Sequence, residues 1–202
     1  MFRGTAIALR ESMRVLIVDE SPDRTAVLRE GLEGAGYEVT AALASPLELL
    51  RSVETMKPDV IIIDTESPSR DVLEHVVLVT RDQPRPIVMF SGDDAPDAIR
   101  GAVRAGVSAY VVDGLDATRV KSIVDVAVAR FDEHQKLRAE LAEANLKLSE
   151  RKLVERAKGI LMNARGMPEE EAFHTLRRMA MDRGKRLSEV ARQVIDMKDL
   201  LG

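Results

Sequence analysis

The chain has 202 residues, 45% of them hydrophobic, with 30 Lys/Arg against 34 Asp/Glu and a net charge of −4; that length and composition suit two small packed cores. It contains no cysteine, which excludes a disulfide framework, and no stretch approaches the roughly 18 apolar residues of a membrane span. No charged-then-apolar signal opens the chain, so a soluble, cytoplasmic protein with no membrane association is expected.

Residues 1–12 lack sustained periodicity and read as a flexible leader. From Arg14 an apolar run, Val15-Leu16-Ile17-Val18, stops at Asp19-Glu20, and a helical pattern through Val27, Leu28 and Leu32 follows up to Gly34 and Gly36. The alternation continues with strands at Val39–Leu43, Val60–Ile63, Ile87–Phe90 and Ala109–Val112. Helices are expected over Leu47–Met56, around Val72–Thr80 and over Asp97–Ala105. Five strands, each followed by a helix, predict a doubly wound parallel α/β sheet.

The fifth helix is unusual. From Ala117 to about Ala164 there is no proline and one glycine, Gly159, among residues that favour helix. About 48 residues at ~1.5 Å rise would reach ~70 Å, too long for one small domain. Its first part keeps an apolar stripe, Val120, Ile123, Val124, Ala127 and Val128, suited to packing on the sheet. Leu137, Leu141, Ala144 and Leu148 then recur at the spacing of a coiled-coil seam, which predicts a homodimer. The seam is shorter than three heptads, so an exposed charged connector also fits.

Beyond it, Gly166 is a helix stop, and Pro168 with Glu169, Glu170 and Glu171 opens a new helix ending near Gly184. A third begins at Leu187-Ser188, with Val190, Ala191, Val194 and Ile195 on one face. These helices need one another to bury their faces, so a three-helix unit is expected. The predicted organisation is a leader (1–12), an α/β domain (13–130), a connector helix (131–150) and the helical unit (151–202).

In an open parallel sheet, functional groups gather at the carboxyl ends of the strands. Asp19 and Glu20 end the first strand, Asp64 the third and Ser91 the fourth. Convergent carboxylates beside a hydroxyl suit Mg²⁺, with one free to attack phosphorus; loop acids that merely cap helices are the other reading. Residues 15–130 resemble a response-regulator receiver domain. The resemblance implies Asp19, Glu20 and Asp64 as metal ligands, Asp64 as phosphoacceptor, and Ser91 and Tyr110 as switch residues. One position departs: where receivers carry a lysine followed by proline, this chain has Asp113-Gly114. Loss of that cation counts against phosphorylation and implies a pseudo-receiver.

Charge divides the chain. Residues 151–202 hold 12 Lys/Arg and 8 Asp/Glu, the first 150 residues 18 and 26, so the tail suits an anionic partner or a solvated surface. Lys158, Arg165, Arg177, Arg178, Lys185 and Arg186 are the candidate contacts to phosphates and base edges, with Arg183 beside them. Phe173, the only aromatic there, is expected in the core, which argues against a base-stacking channel. Ala157-Lys158-Gly159-Ile160-Leu161-Met162, Glu171-Ala172-Phe173, Leu176-Arg177 and Leu187-Ser188-Glu189-Val190-Ala191 resemble an ANTAR domain. From Met13 onward the chain is similar to the AmiR/NasT family of transcription antiterminators, of which Ile63-Asp64-Thr65-Glu66-Ser67-Pro68-Ser69-Arg70-Asp71 looks typical.

That resemblance implies a non-enzymatic regulator that binds tandem hairpins in a leader transcript. It further implies control of nitrate or nitrite assimilation and sequestration by a nitrate-sensing, NasS-like partner of periplasmic-binding-protein fold. A regulator switched by phosphorylation of Asp64 and a protein-docking regulator remain as alternatives.

Overall fold

The computed structural model describes residues 12–112 and 117–201. The expected leader, apart from Ser12, and the Asp113-Gly114 departure lie outside the described residues. Packing divides the chain between His134 and Gln135 into two units.

The first unit is a five-stranded parallel sheet in the order β2-β1-β3-β4-β5. The strands are β1 (Arg14–Asp19), β2 (Glu38–Leu43), β3 (Val60–Thr65), β4 (Ile87–Ser91) and β5 (Ala109–Val112). Between them run α1 (Pro22–Gly34), α2 (Leu49–Met56), α3 (Arg70–Asp82) and α4 (Pro96–Ala105), and α5 (Ala117–Arg165) follows β5. Alternation along the strands sends Leu16, Val18, Ile61, Ile63, Ile87 and Met89 to the face covered by α2, α3 and α4. Val15, Ile17, Val60, Ile62, Val88 and Phe90 go to the face covered by α1 and the start of α5. Central β1, β3 and β4 are therefore nearly continuous apolar runs, Val/Ile/Leu in β1 and β3 and Ile-Val-Met-Phe in β4. The edge strands β2 and β5 are mostly half-buried, because a neighbour is missing on one side.

Turn chemistry accounts for the boundaries. Ser21 caps α1, accepting from the Arg24 N–H at 3.4 Å, with Pro22 in the first turn. Periodicity predicts the second helix from Leu47, but Pro46–Glu48 form a separate 3₁₀ turn capped by Ser45 and α2 starts at Leu49. Val120, Val124 and Ala127 join the core, as the stripe predicts. Tyr37 also ties α5 down, donating its hydroxyl to Asp125 Oδ1 at 3.1 Å.

The second unit contains the rest of α5, α6 (Glu169–Asp182) and α7 (Leu187–Leu201). Helix α5 stops at Gly166, whose φ of +64° is the left-handed conformation open to glycine. Ala157, Leu161, Ala172, Leu176, Ala180, Val190, Ala191 and Ile195 form one core. Phe173 departs from expectation: it is half-buried, its ring edge-on to exposed His174 at 6.3 Å between centroids.

Candidate functional site

Parallel registration builds the acid pocket. Asp19 pairs with Asp64 across β1 and β3, and Thr65 pairs with Ser91 across β3 and β4, so all four residues reach the same carboxyl edge. The Asp19 side chain is fully buried and that of Asp64 is 12% exposed. Neither stands alone. Arg24, in the first turn of α1, places one terminal nitrogen 3.2 Å from Asp19 Oδ1 and Nε 3.3 Å from Asp64 Oδ2. The first contact is a hydrogen bond; the second is ionic, with Nε off line for one. Asp19 also accepts from the Ser21 N–H at 2.8 Å and the Thr25 hydroxyl at 3.3 Å.

The electrostatics follow from this packing. Burial pushes the Asp64 carboxyl above its ordinary range, with nearby Asp19 adding to the rise and Arg24 opposing it. The Arg24 guanidinium is held more firmly protonated, chiefly by its hydrogen bond to Asp19 and then by both carboxylate charges. Glu20 is exposed. Among the described residues no three His, Cys, Asp or Glu side chains converge to hold a metal. The expected Mg²⁺ set of Asp19, Glu20 and Asp64 is placed at one strand edge without forming a three-ligand cluster, and with the Arg24 guanidinium against both Asp19 and Asp64 these residues do not fit a divalent cation as arranged.

Ser91 and Tyr110, the residues expected to act as switches, bind the surrounding loops. Ser91 Oγ donates to the Glu66 carbonyl at 3.1 Å and accepts from the Asp93 N–H at 3.2 Å. The Tyr110 hydroxyl donates to the Asp93 carbonyl at 2.7 Å. Asp93 joins the loops after β3 and β4 through Ser67 Oγ at 2.7 Å, and this bond, with that from the Ala95 N–H, lowers its carboxyl pKa.

In the helical unit the candidate cations separate into two kinds. Lys158 is buried, its side chain only 9% exposed, and its ammonium lies 2.8 Å from Glu155 and 2.7 Å from Glu169. It links α5 to α6, a placement that removes it from the freely accessible cations expected to meet phosphate. Arg165, Arg177, Arg178, Lys185 and Arg186 are exposed. A groove of about 550 Å³ brings Arg165 together with Arg183 and Lys198, beside Ile160, Met179, Val194 and Met197. Arg177 and Arg178 line a different depression with His174 and Met181. On α5, Leu137, Leu141 and Leu148 are 54%, 62% and 52% exposed, and Ala144 is exposed with them.

Sequence reasoning missed Arg24, Asp93 and Lys198. Arg24 carried one faint signal: the third residue of a helix that starts directly after a strand can turn its side chain back toward that strand's end.

A sheet ordered 2-1-3-4-5 with acids at its carboxyl edge, followed by a three-helix unit, defines a class. The response regulator receiver domain matches residues 15–125, and the ANTAR domain matches residues 142–195. The chain belongs to the response regulators that carry an ANTAR domain.

Within that class it is 34% identical over 183 residues to the transcriptional regulatory protein PdtaR of Mycobacterium tuberculosis, covering 91% of this chain and 89% of that protein. It is 41% identical over 80 residues to the nitrate regulatory protein of Klebsiella oxytoca, a match spanning 40% of this chain and 20% of that one. Two solved structures share the receiver fold. A CheY-like receiver domain protein from Methanospirillum hungatei aligns with a TM-score of 0.54 at 21% identity, over 61% of this chain and 98% of that one. The receiver domain of the response regulator NarL from M. tuberculosis aligns at 0.53 and 21%, over 58% and 98%. No helix among the described residues is long and apolar enough to cross a membrane.

Proposed function

We propose that this protein is an RNA-binding transcription antiterminator, with the ANTAR unit as its RNA-contacting surface and the receiver unit as the part that hears a signal. The observation that carries the reading is the group of exposed cations, Arg165, Arg177, Arg178, Lys185 and Arg186, on a folded three-helix unit. Arginine forks suit phosphates and the edges of unpaired bases in a hairpin loop. The exposed leucines of α5 support pairing of two chains, because a stripe of that kind otherwise stands in water. Paired tails take two hairpins of a leader transcript at once, so the second event becomes intramolecular and affinity rises by about 10²–10⁴.

Control by nitrate or nitrite, through a NasS-like sensor that covers the connector or tail until its ligand arrives, is the regulation we propose. The similarity to a nitrate regulatory protein supports it. A ligand that weakens the sensor's hold shifts the population toward free antiterminator. Phosphorylation of Asp64 is the rival input, and acetyl phosphate labelling with intact-mass measurement separates the two. Stoichiometric labelling that changes RNA affinity supports the rival.

The experiment for the main reading compares one-hairpin and two-hairpin RNAs against the wild type and a Leu141→Gln/Leu148→Gln variant, with ultracentrifugation alongside. The variant is expected to be monomeric, to bind one hairpin as the wild type does and to lose the tandem advantage. A monomer that keeps full tandem affinity overturns pairing as the recognition device.

A further inference from the structure

Two carboxylates at neighbouring strand ends, one wholly out of water, repel each other unless a cation stands between them. A receiver-like pocket with convergent acids invites a divalent ion for that purpose. Here the chain supplies its own. We propose that Arg24 is the resident cation of the acid pocket, its guanidinium bridging Asp19 and Asp64 where a divalent metal would otherwise sit, so that this receiver unit does not use Mg²⁺.

Four observations bear on this. The guanidinium reaches both carboxylates, at 3.2 and 3.3 Å, from the one side chain. Both Asp19 oxygens already accept from the chain: Oδ1 from the Ser21 N–H and Arg24, Oδ2 from Thr25. A metal would have to displace these donors as well as the arginine. The backbone of Arg24 is itself fixed, because its N–H is the one that caps onto Ser21, so its side chain starts from a held position. Finally, Glu20, which could complete a ligand set, is exposed, and no three-ligand group forms among the described residues.

A tethered cation competes at an effective concentration of about millimolar or higher without any diffusional step. Mg²⁺ gives up its waters reluctantly and requires near-octahedral oxygen geometry. Arg24 therefore holds the pocket by attachment rather than by intrinsic affinity. One consequence is immediate: the Asp64 oxygen nearest Arg24 is engaged from within the chain, and the receiver unit keeps its folded arrangement whether divalent ions are present or not. This role of Arg24 is independent of what the ANTAR unit binds.

Manganese is the probe, because its free ion is counted directly by electron paramagnetic resonance and it accepts the same oxygen ligands as Mg²⁺. The full chain is titrated as wild type, Arg24→Met, Asp64→Asn and the double variant Arg24→Met/Asp64→Asn. Methionine keeps much of the aliphatic stem and removes the charge. The wild type is expected to show no saturable site below about 1 mM, and Arg24→Met to gain one site at least about tenfold tighter, absent from the double variant. The midpoint of thermal unfolding of Arg24→Met should rise on adding Mg²⁺, with no such rise in the wild type. A wild-type site that saturates in the micromolar range and is lost in Asp64→Asn overturns the proposal, as does a folded Arg24→Met chain that gains no Mn²⁺ site. Should Arg24→Met fail to fold, the wild-type titration against Asp64→Asn still decides the matter.

Discussion

Each unit of this protein contains one cation held between two carboxylates, and the two clamps are built inside out relative to each other. In the receiver unit the acids are buried and the cation sits at the mouth: Asp19 and Asp64 are 0% and 12% exposed, Arg24 42%. In the ANTAR unit the cation is buried and the acids face water: Lys158 is 9% exposed, Glu155 and Glu169 54% and 67%. The difference decides what deletion does. Removing Arg24 leaves two carboxylates that water cannot reach well, whereas removing Lys158 leaves two carboxylates that water solvates at once. It also sorts the basic residues by accessibility, since a cation engaged on two sides is poorly placed to meet a phosphate.

Four substitutions probe this contrast, beginning with the most damaging. Leu176→Ala opens a void in the fully buried centre of the ANTAR core and should cost about 2–5 kcal/mol. Hydrogen exchange should show the loss in α6 and α7 with β1 and β3 unchanged, if the two units have separate cores.

Next is the receiver clamp itself. Arg24→Met, measured without divalent ions, should destabilise the receiver unit by about 2–3 kcal/mol, below the usual range for breaking a buried pair because Arg24 is partly solvated. Denaturant unfolding followed by amide exchange in β1 and β3 reads this out. A loss under about 0.5 kcal/mol would mean that the clamp is ornamental.

A tie with no cation between two acids provides the contrast. Tyr37 donates to Asp125, and burial, then that hydrogen bond, pushes its phenol up to about 12. A phenol whose folded pKa is raised favours the fold below its unfolded value of about 10, and that contribution is lost as pH climbs from there toward about 12. Tyr37→Phe should cost about 0.5–1.5 kcal/mol at neutral pH. It should also flatten the fall of stability between about pH 10 and 12, as followed by circular dichroism.

The smallest effect is expected at Lys158. Lys158→Met should leave RNA affinity within about twofold of wild type, since the residue gives up partly exposed ion pairs rather than a bond to phosphate. The tie itself has a pH window. Glu169 is held below its ordinary pKa by the Lys158 hydrogen bond, and Lys158 is held above its own by Glu155 first and then Glu169. Its contribution is therefore complete between about pH 4.3 and 10.4, the ordinary values of the two groups. It fades as pH falls through the lowered Glu169 value or rises through that of Lys158. Amide exchange at the start of α6, followed against pH, checks that window.

Most of the fold was legible because it rests on local signals. Val15–Val18, Val60–Ile63 and Ile87–Phe90 are apolar runs of strand length ended by acids or a serine, Gly34 and Gly36 close the first helix, and Gly166 and Pro168 separate the helices of the ANTAR unit. The acids at the strand ends were legible for the same reason. Arg24 was not, because its meaning depends on the registration of Asp19 with Asp64, residues 45 positions apart in the chain. Taken alone, it reads as one more solvated charge on a helix. Lys158 misled in the opposite direction. Its second partner, Glu169, lies across the Gly166 turn in another helix, so composition grouped it with the accessible arginines while packing set it apart.

Whether the exposed arginines of the ANTAR unit bind RNA is decided most directly by the salt dependence of affinity for a tandem-hairpin leader RNA. The full chain and a folded Arg177→Ala/Arg178→Ala variant are titrated from low to high salt. Binding through these arginines requires steep salt dependence in the wild type and a slope shallower by about 1.4 in the variant, or about 0.7 for each single-stranded phosphate no longer neutralised. It also requires affinity to fall by about 1–3 kcal/mol per arginine. Equal slopes and equal affinities for the two proteins would contradict it.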